Sequence, residues 1–216
     1  MIKAVLFDLD GTLLDTNQLI LDSFKHTFKT ILDLEVPEEE MGKIFGKPLV
    51  GTLASYNEEK VDELVKEYRR YNEENHDNMC KPFEGVQVLL KSLKDHGYKL
   101  GIVTSKRLEM AKRGSDLGDI IKYFDIFITP ESTEKHKPNP EPIYEACKQI
   151  GIEPKEAIMV GDAPADILSG KNAGAITCAV RYTALPISEL EKDNPDYFID
   201  YPLQILDILK GINVLK

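Results

Sequence analysis

The stretch Ile2-Lys3-Ala4-Val5-Leu6-Phe7-Asp8-Leu9-Asp10-Gly11-Thr12 runs apolar and then turns, within three residues, to two carboxylates and a glycine. Its apolar part suits a strand buried on both faces, as in a parallel sheet. Similar runs recur at 100–104, 124–129, 157–161 and 176–180, so five strands are expected. Helical patterns lie between them over 85–96, 108–117, 140–150 and 165–173, each followed by a glycine: Gly97, Gly118, Gly151 and Gly174. A glycine just past a helix is the usual left-handed stop. This alternation predicts βαβ units and an α/β fold with a Rossmann-like parallel sheet.

Residues 16–81 break the rhythm. They carry no strand pattern, but they do carry helical stretches at 18–32, 38–45 and 58–75. We read them as an inserted all-helical cap domain, with residues 1–15 and 82–216 forming the core domain. Both connections fall near the carboxyl end of the first strand, so the insertion should hang over that edge of the sheet.

Bulk properties narrow the partners. The 216 residues are 42% hydrophobic and 30% charged, an ordinary globular balance. Asp plus Glu outnumber Lys plus Arg by 37 to 27, a formal charge of -10. The long-range field therefore repels polyanions, and nucleic acid is not expected as a partner. A small anionic substrate is not excluded, because a lysine or a metal ion can reverse the potential inside one cleft. Cys80, Cys147 and Cys178 lack metal-ligand spacing and read as reduced thiols. With no signal-peptide pattern and no long apolar stretch, a cytoplasmic location without membrane contact is expected, as a monomer or weak homodimer.

In an open parallel sheet, ligands bind beyond the carboxyl ends of the strands. Four such ends are polar here: Asp8 and Asp10, Thr104 and Ser105, Lys137, and Gly161-Asp162 with Asp166. Asp8 and Asp10, two apart on extended backbone, share one side, and Gly11 permits a sharp turn. Such a pair also serves simply to cap a turn. Three converging carboxylates would repel one another, and a divalent cation offsets this. All-oxygen ligation without His or Cys favours Mg²⁺ over zinc. Thr104 and Ser105 offer hydroxyl and backbone donors suited to phosphate oxygens, or a plain N-cap for a helix beginning near Lys106. Lys137, in His136-Lys137-Pro138-Asn139-Pro140, is either a solvated surface charge or the cation such a site needs.

Together these segments resemble the haloacid dehalogenase-like hydrolases. Asp8-Leu9-Asp10-Gly11-Thr12, Val103-Thr104-Ser105, Lys137-Pro138 and Gly161-Asp162-Ala163-Pro164-Ala165-Asp166 resemble the four family motifs in order. The resemblance implies a Mg²⁺-dependent phosphohydrolase in which Asp8 attacks phosphorus and Asp10 acts as acid and base. It implies metal ligation by Asp8, Asp10 through its carbonyl, and Asp162, with Asp166 supporting the metal shell. Phosphate would be held by Gly11, Thr104, Ser105 and Lys137. Dehalogenases of the family lack the second motif-one Asp, so Asp10 argues for phosphoryl chemistry. β-Phosphoglucomutase-like members usually carry an Arg near 46–52, where none stands here.

The pattern looks most like the phosphoglycolate phosphatase and PpaX-type pyrophosphatase branch, and we lean to inorganic pyrophosphate, with Lys47 in the cap as a candidate specificity residue. A phosphoglycolate or other small-metabolite phosphatase and a β-phosphoglucomutase-like phosphotransferase are the enzyme alternatives. A non-catalytic phosphoryl-binding module such as a receiver domain has a similar set of groups but no helical insertion or late Gly161-Asp162 motif. A degenerate scaffold is disfavoured because every chemical position is filled. P-loop transfer is disfavoured because the GxxxxGK[ST] pattern is missing.

Overall fold

A computed structural model describes residues 1–41, 44–45 and 47–214. In chain order the elements are β1 (Ala4–Phe7), β2 (Leu14–Asp15), α1 (Asn17–Leu32), α2 (Glu38–Met41), α3 (Leu49–Tyr56), α4 (Val61–Met79) and β3 (Lys81–Pro82). There follow α5 (Val86–Asp95), β4 (Lys99–Val103), α6 (Leu108–Leu117), β5 (Ile126–Ile128), α7 (Glu141–Ile150) and β6 (Ala157–Gly161). The chain ends with α8 (Pro164–Ala173), β7 (Ile176–Val180), α9 (Ile187–Glu191), β8 (Tyr197–Ile199) and α10 (Gln204–Val214).

Six strands form one parallel sheet in the order β5-β4-β1-β6-β7-β8. The sheet is buried on both faces. Val5 and Phe7 of β1 join a cluster with Leu89, Leu90 and Leu93 of α5 and Leu209 of α10. Ala4 and Leu6 point the other way, into a cluster with Ile143, Ala146 and Cys147 of α7. Because β1 lies between β4 and β6, the chain reverses its direction of travel across the sheet at β1. That switch point is where an open α/β sheet leaves a crevice for a ligand.

The helices of the insertion have a cluster of their own, built on Phe24, Phe28, Met41, Ile44, Leu53 and Leu64. It leaves and rejoins the rest of the chain through β2 and β3, which pair antiparallel with Asp15 opposite Lys81.

The structure differs from the sequence reading in several places, among them the short stems β2 and β3 and the late helices α9 and α10, which were not expected. The sheet has six strands rather than five, the extra one being β8 at the edge. The insertion has an unexpected helix, α3. The expected helix over 38–45 is described only as α2, Glu38–Met41, and residues 42–43 lie outside the described residues. Gly118 is not a left-handed stop. Its φ is -76°, and the next residue, Asp119, takes the positive value, 51°. Gly118 is small for another reason: a Cβ there would stand 2.9 Å from Pro82 Cγ and 3.3 Å from Leu14 Cδ2. Among the described residues, no helix is long and apolar enough to cross a membrane.

Candidate active site

Asp8 follows β1 directly, and its backbone N–H extends the ladder to Val160 O at 2.9 Å. The chain then turns at Gly11, where φ is 77° and the N–H donates to Leu14 O at 2.8 Å. This glycine meets two demands at once, a left-handed backbone and an absent Cβ, because a Cβ would run into the Asp162 carboxylate. Gly161 makes the matching concession to the Asp166 side chain.

These two glycines let three carboxylates gather. Ligand oxygens of Asp8, Asp162 and Asp166 lie within 4.8 Å of one another. Lys137 enters from the loop after β5, with its side chain only 5% exposed. Its ammonium donates to Asp8 Oδ1 at 2.8 Å, Asp166 Oδ1 at 2.6 Å and the carbonyl of Val103 at 2.9 Å. Asp166 also accepts from the Ala163 N–H at 3.0 Å, closing the first turn of α8. Asp162 is held by hydroxyls on both sides, Thr12 on Oδ1 and Thr183 on Oδ2, each at 3.2 Å.

One lysine does not balance three carboxylates. Burial, with the nearby Asp166 and Asp10 charges, raises Asp8 to about 7 despite Lys137. Burial and the Asp166 and Asp8 charges likewise push Asp162 well above the ordinary carboxylate range. Burial would lower Lys137, but Asp166 and Asp8 outweigh it and hold its pKa above the usual lysine value. An all-oxygen cluster with surplus negative charge fits a hard divalent cation.

Asp10 stands apart from this cluster. Its Oδ1 accepts from Lys106 Nζ at 2.8 Å. Thr104 is buried, and its hydroxyl accepts from the Lys106 N–H at 3.1 Å, so it shapes a turn. It does not cap the following helix, which begins at Leu108 behind Arg107. Ser105 is exposed beside it. Lys47 is exposed and lines a cavity of about 480 Å³ within the insertion, with Glu40, Ile44, Thr52, Ser55 and Tyr56, and none of the motif residues borders that cavity. The cap-loop position Gly46 lies outside the described residues.

Sequence reasoning overlooked three residues here. Lys106 directly follows Thr104 and Ser105, a proximity that could have pointed to it. Thr183 lies 21 residues beyond Asp162, and only the fold brings it near. His76, near the C-terminal end of α4, accepts from Lys106 Nζ at 3.2 Å.

The haloacid dehalogenase-like hydrolase family model matches residues 5–180. The chain belongs to this family. Relatives of this haloacid dehalogenase-like hydrolase include a Clostridium perfringens protein named "Putative pyrophosphatase PpaX", 57% identical over 213 residues, covering 99% of this chain and 100% of that protein. Pyrophosphatase PpaX of Bacillus cereus is 40% identical over 212 residues, with 98% of each chain covered. Among solved structures, the haloacid dehalogenase-like family protein SP0104 of Streptococcus pneumoniae superimposes with a TM-score of 0.87 at 28% identity, covering 96% of this chain and 98% of that one.

Proposed function

We propose that this hydrolase cleaves inorganic pyrophosphate through a phosphoryl group carried on Asp8. The observation that carries the reading is the buried Asp8–Lys137–Asp166 chain beside Asp162 at the switch point of the sheet. The choice of pyrophosphate is supported by the names of the relatives at 57% and 40% identity. Asp8, Asp162 and the main-chain carbonyl of Asp10 would hold Mg²⁺, with Asp166 behind them. Bound there, the ion offsets the charge of carboxylates and phosphoryl oxygens.

The residues then divide the work. Lys137 fixes the Asp8 carboxylate and, with Thr104, Ser105 and the turn at Gly11, receives phosphoryl oxygens. A carboxylate oxygen of Asp8 bonds to phosphorus, the bond to the bridging oxygen breaks, and the departing phosphate takes a proton from Asp10. Water next gives a proton to Asp10 as its oxygen bonds to phosphorus. The phosphorus–Asp8 bond breaks, a second phosphate leaves, and both side chains return to their starting state. Residues 1–15 and 82–216 serve as the catalytic core, and 16–81 as a cap over the crevice, where Lys47 contributes to substrate choice.

The test is phosphate release with Mg²⁺ from pyrophosphate, phosphoglycolate, sugar phosphates and nucleotides, compared by kcat/KM. Pyrophosphate should lead, and Asp8→Asn should lower its turnover by at least about 10³-fold. A preferred sugar phosphate, or near-normal turnover by Asp8→Asn, overturns the proposal.

A further inference from the structure

We infer that Lys106 is a positioning residue for Asp10, aimed in turn by His76 of α4. The inference rests on the reading of Asp10 as the acid–base group, and the geometry adds what that reading lacks. The Lys106 side chain is 12% exposed, so it is not a solvated surface charge, and its ammonium meets Asp10 Oδ1 at 2.8 Å. Among the described residues, Asp10 Oδ2 has no hydrogen-bond partner and is left to handle the proton. Each motif-one carboxylate therefore meets a lysine: Lys137, shared with Asp166, on Asp8 and Lys106 on Asp10. The second pairing holds the Asp10 side chain apart from the three clustered carboxylates.

Lys106 is itself oriented. A lysine ammonium only donates, so His76 Nε2, 3.2 Å away, accepts. The His76 proton then sits on Nδ1, which donates to Asp77 Oδ1 at 3.3 Å. The His76 ring is fully buried. It lies where α4 passes close to α6: a Cβ on Gly114 would stand 3.3 Å from His76 Cε1. Ion pairs brace the same seam, Arg113 to Asp77 at 2.8 Å and Arg107 to Glu73 at 3.1 Å. The insertion thus reaches the acid–base carboxylate through one buried histidine and one lysine.

Hydrolysis of phosphoryl-Asp8 is the step most sensitive to this alignment. There Asp10 must take a proton from water while the water oxygen bonds to phosphorus and the phosphorus–Asp8 bond breaks. The experiment is acid-quench trapping of phosphoenzyme from radiolabelled pyrophosphate, alongside steady-state kinetics, for the parent and for Lys106→Met, Lys106→Gln, Lys106→Arg and Asp10→Asn. Lys106→Met and Lys106→Gln should lose about 10²-fold in kcat with KM within about threefold, and phosphoenzyme should accumulate. Lys106→Arg should recover most of the loss.

If Asp10→Asn accumulates phosphoenzyme and neither neutral Lys106 variant does, the inference on Lys106 is wrong and the mechanism stands. If Asp10→Asn keeps near-normal turnover, the acid–base reading falls and takes the inference with it. Using both Met and Gln keeps the result readable when one variant does not fold.

Discussion

Asp162 shows what the site costs the fold. It sits among two other carboxylates, and burial with Asp166 and Asp8 pushes its pKa well up, as burial and Asp166 do to Asp8, which reaches about 7. A carboxyl whose folded pKa exceeds its unfolded value of 3.8 binds more protons folded than unfolded. Its contribution to stability is therefore full below that value and is lost as pH rises through about 7. Each unit is worth about 1.4 kcal/mol, or about 2–4 °C per kcal/mol in a chain of this size. The Glu67 carboxylate, lowered to about 2 chiefly by hydrogen bonding to Arg70, has the opposite sign but acts below this window. Metal-free protein should consequently melt several degrees higher at pH 5.5 than at pH 8, and saturating Mg²⁺ should restore stability at pH 8. Asp162→Asn should raise the melting temperature at pH 8 without metal and erase the response to Mg²⁺. Calorimetry on EDTA-treated protein checks all three, and a metal-free melting temperature that climbs from pH 5.5 to pH 8 contradicts the account. Asp8 and Asp162 were legible in the sequence because each interrupts an apolar run at a strand end, and Asp166 because it follows Asp162 by four residues. Thr183 and His76 were not legible, because their partners, Asp162 and Lys106, are remote in sequence.

At the level of elements, the four inner runs, β1, β4, β6 and β7, were readable because strands buried on both faces are nearly continuous in apolar residues, and β5, at the edge opposite β8, by its Ile126-Phe127-Ile128 run. β8 escaped because Tyr197–Ile199 is three residues long and becomes a strand only by pairing with β7, Cys178 opposite Tyr197. α3 escaped because Leu49–Tyr56 carries Gly51 and draws its helical state from Thr52 and Leu53 buried inside the insertion. The end of α6 is the instructive error. A glycine after a periodic run usually supplies positive φ, yet here Gly118 supplies room against Pro82 and Leu14 while Asp119 takes the left-handed backbone at φ 51°. Substitutions at the two positions should therefore act in opposite directions. Gly118→Ala should destabilise by about 1–3 kcal/mol through overpacking at the insertion's exit strand. Asp119→Gly should be neutral to stabilising, by up to about 1 kcal/mol, since it relieves left-handed strain and loses only an exposed pair with Lys122. Urea unfolding of the two variants measures both, and a stabilising Gly118→Ala would refute the packing explanation.

For the whole molecule, the question is whether the insertion is a unit of its own. Its helices bury their own cluster, with Phe28, Leu53 and Leu64 fully enclosed, and each such side chain contributes about 1.5–3 kcal/mol. The sheet's two main clusters draw on none of those residues. The stems β2 and β3 are antiparallel, with Asp15 opposite Lys81, so the ends of the core lie side by side where the insertion departs. A two-residue Asn-Gly turn is the natural closure for such a pair. Replacing residues 16–80 with that turn should therefore leave a core that unfolds cooperatively and keeps Asp8, Lys137, Asp162 and Asp166 in place. It would lack His76, so the aim of Lys106 would loosen, and it would lack the insertion proposed to cover the crevice. The shortened chain should still hydrolyse 4-nitrophenyl phosphate with Mg²⁺, since that leaving group departs without much help from an acid. Its kcat/KM for pyrophosphate should fall by at least about 10²-fold, the scale of a lost acid–base contribution. A shortened chain that cannot fold would show that the core depends on the insertion for stability, and one with undiminished pyrophosphate turnover would show that substrate choice resides in the core.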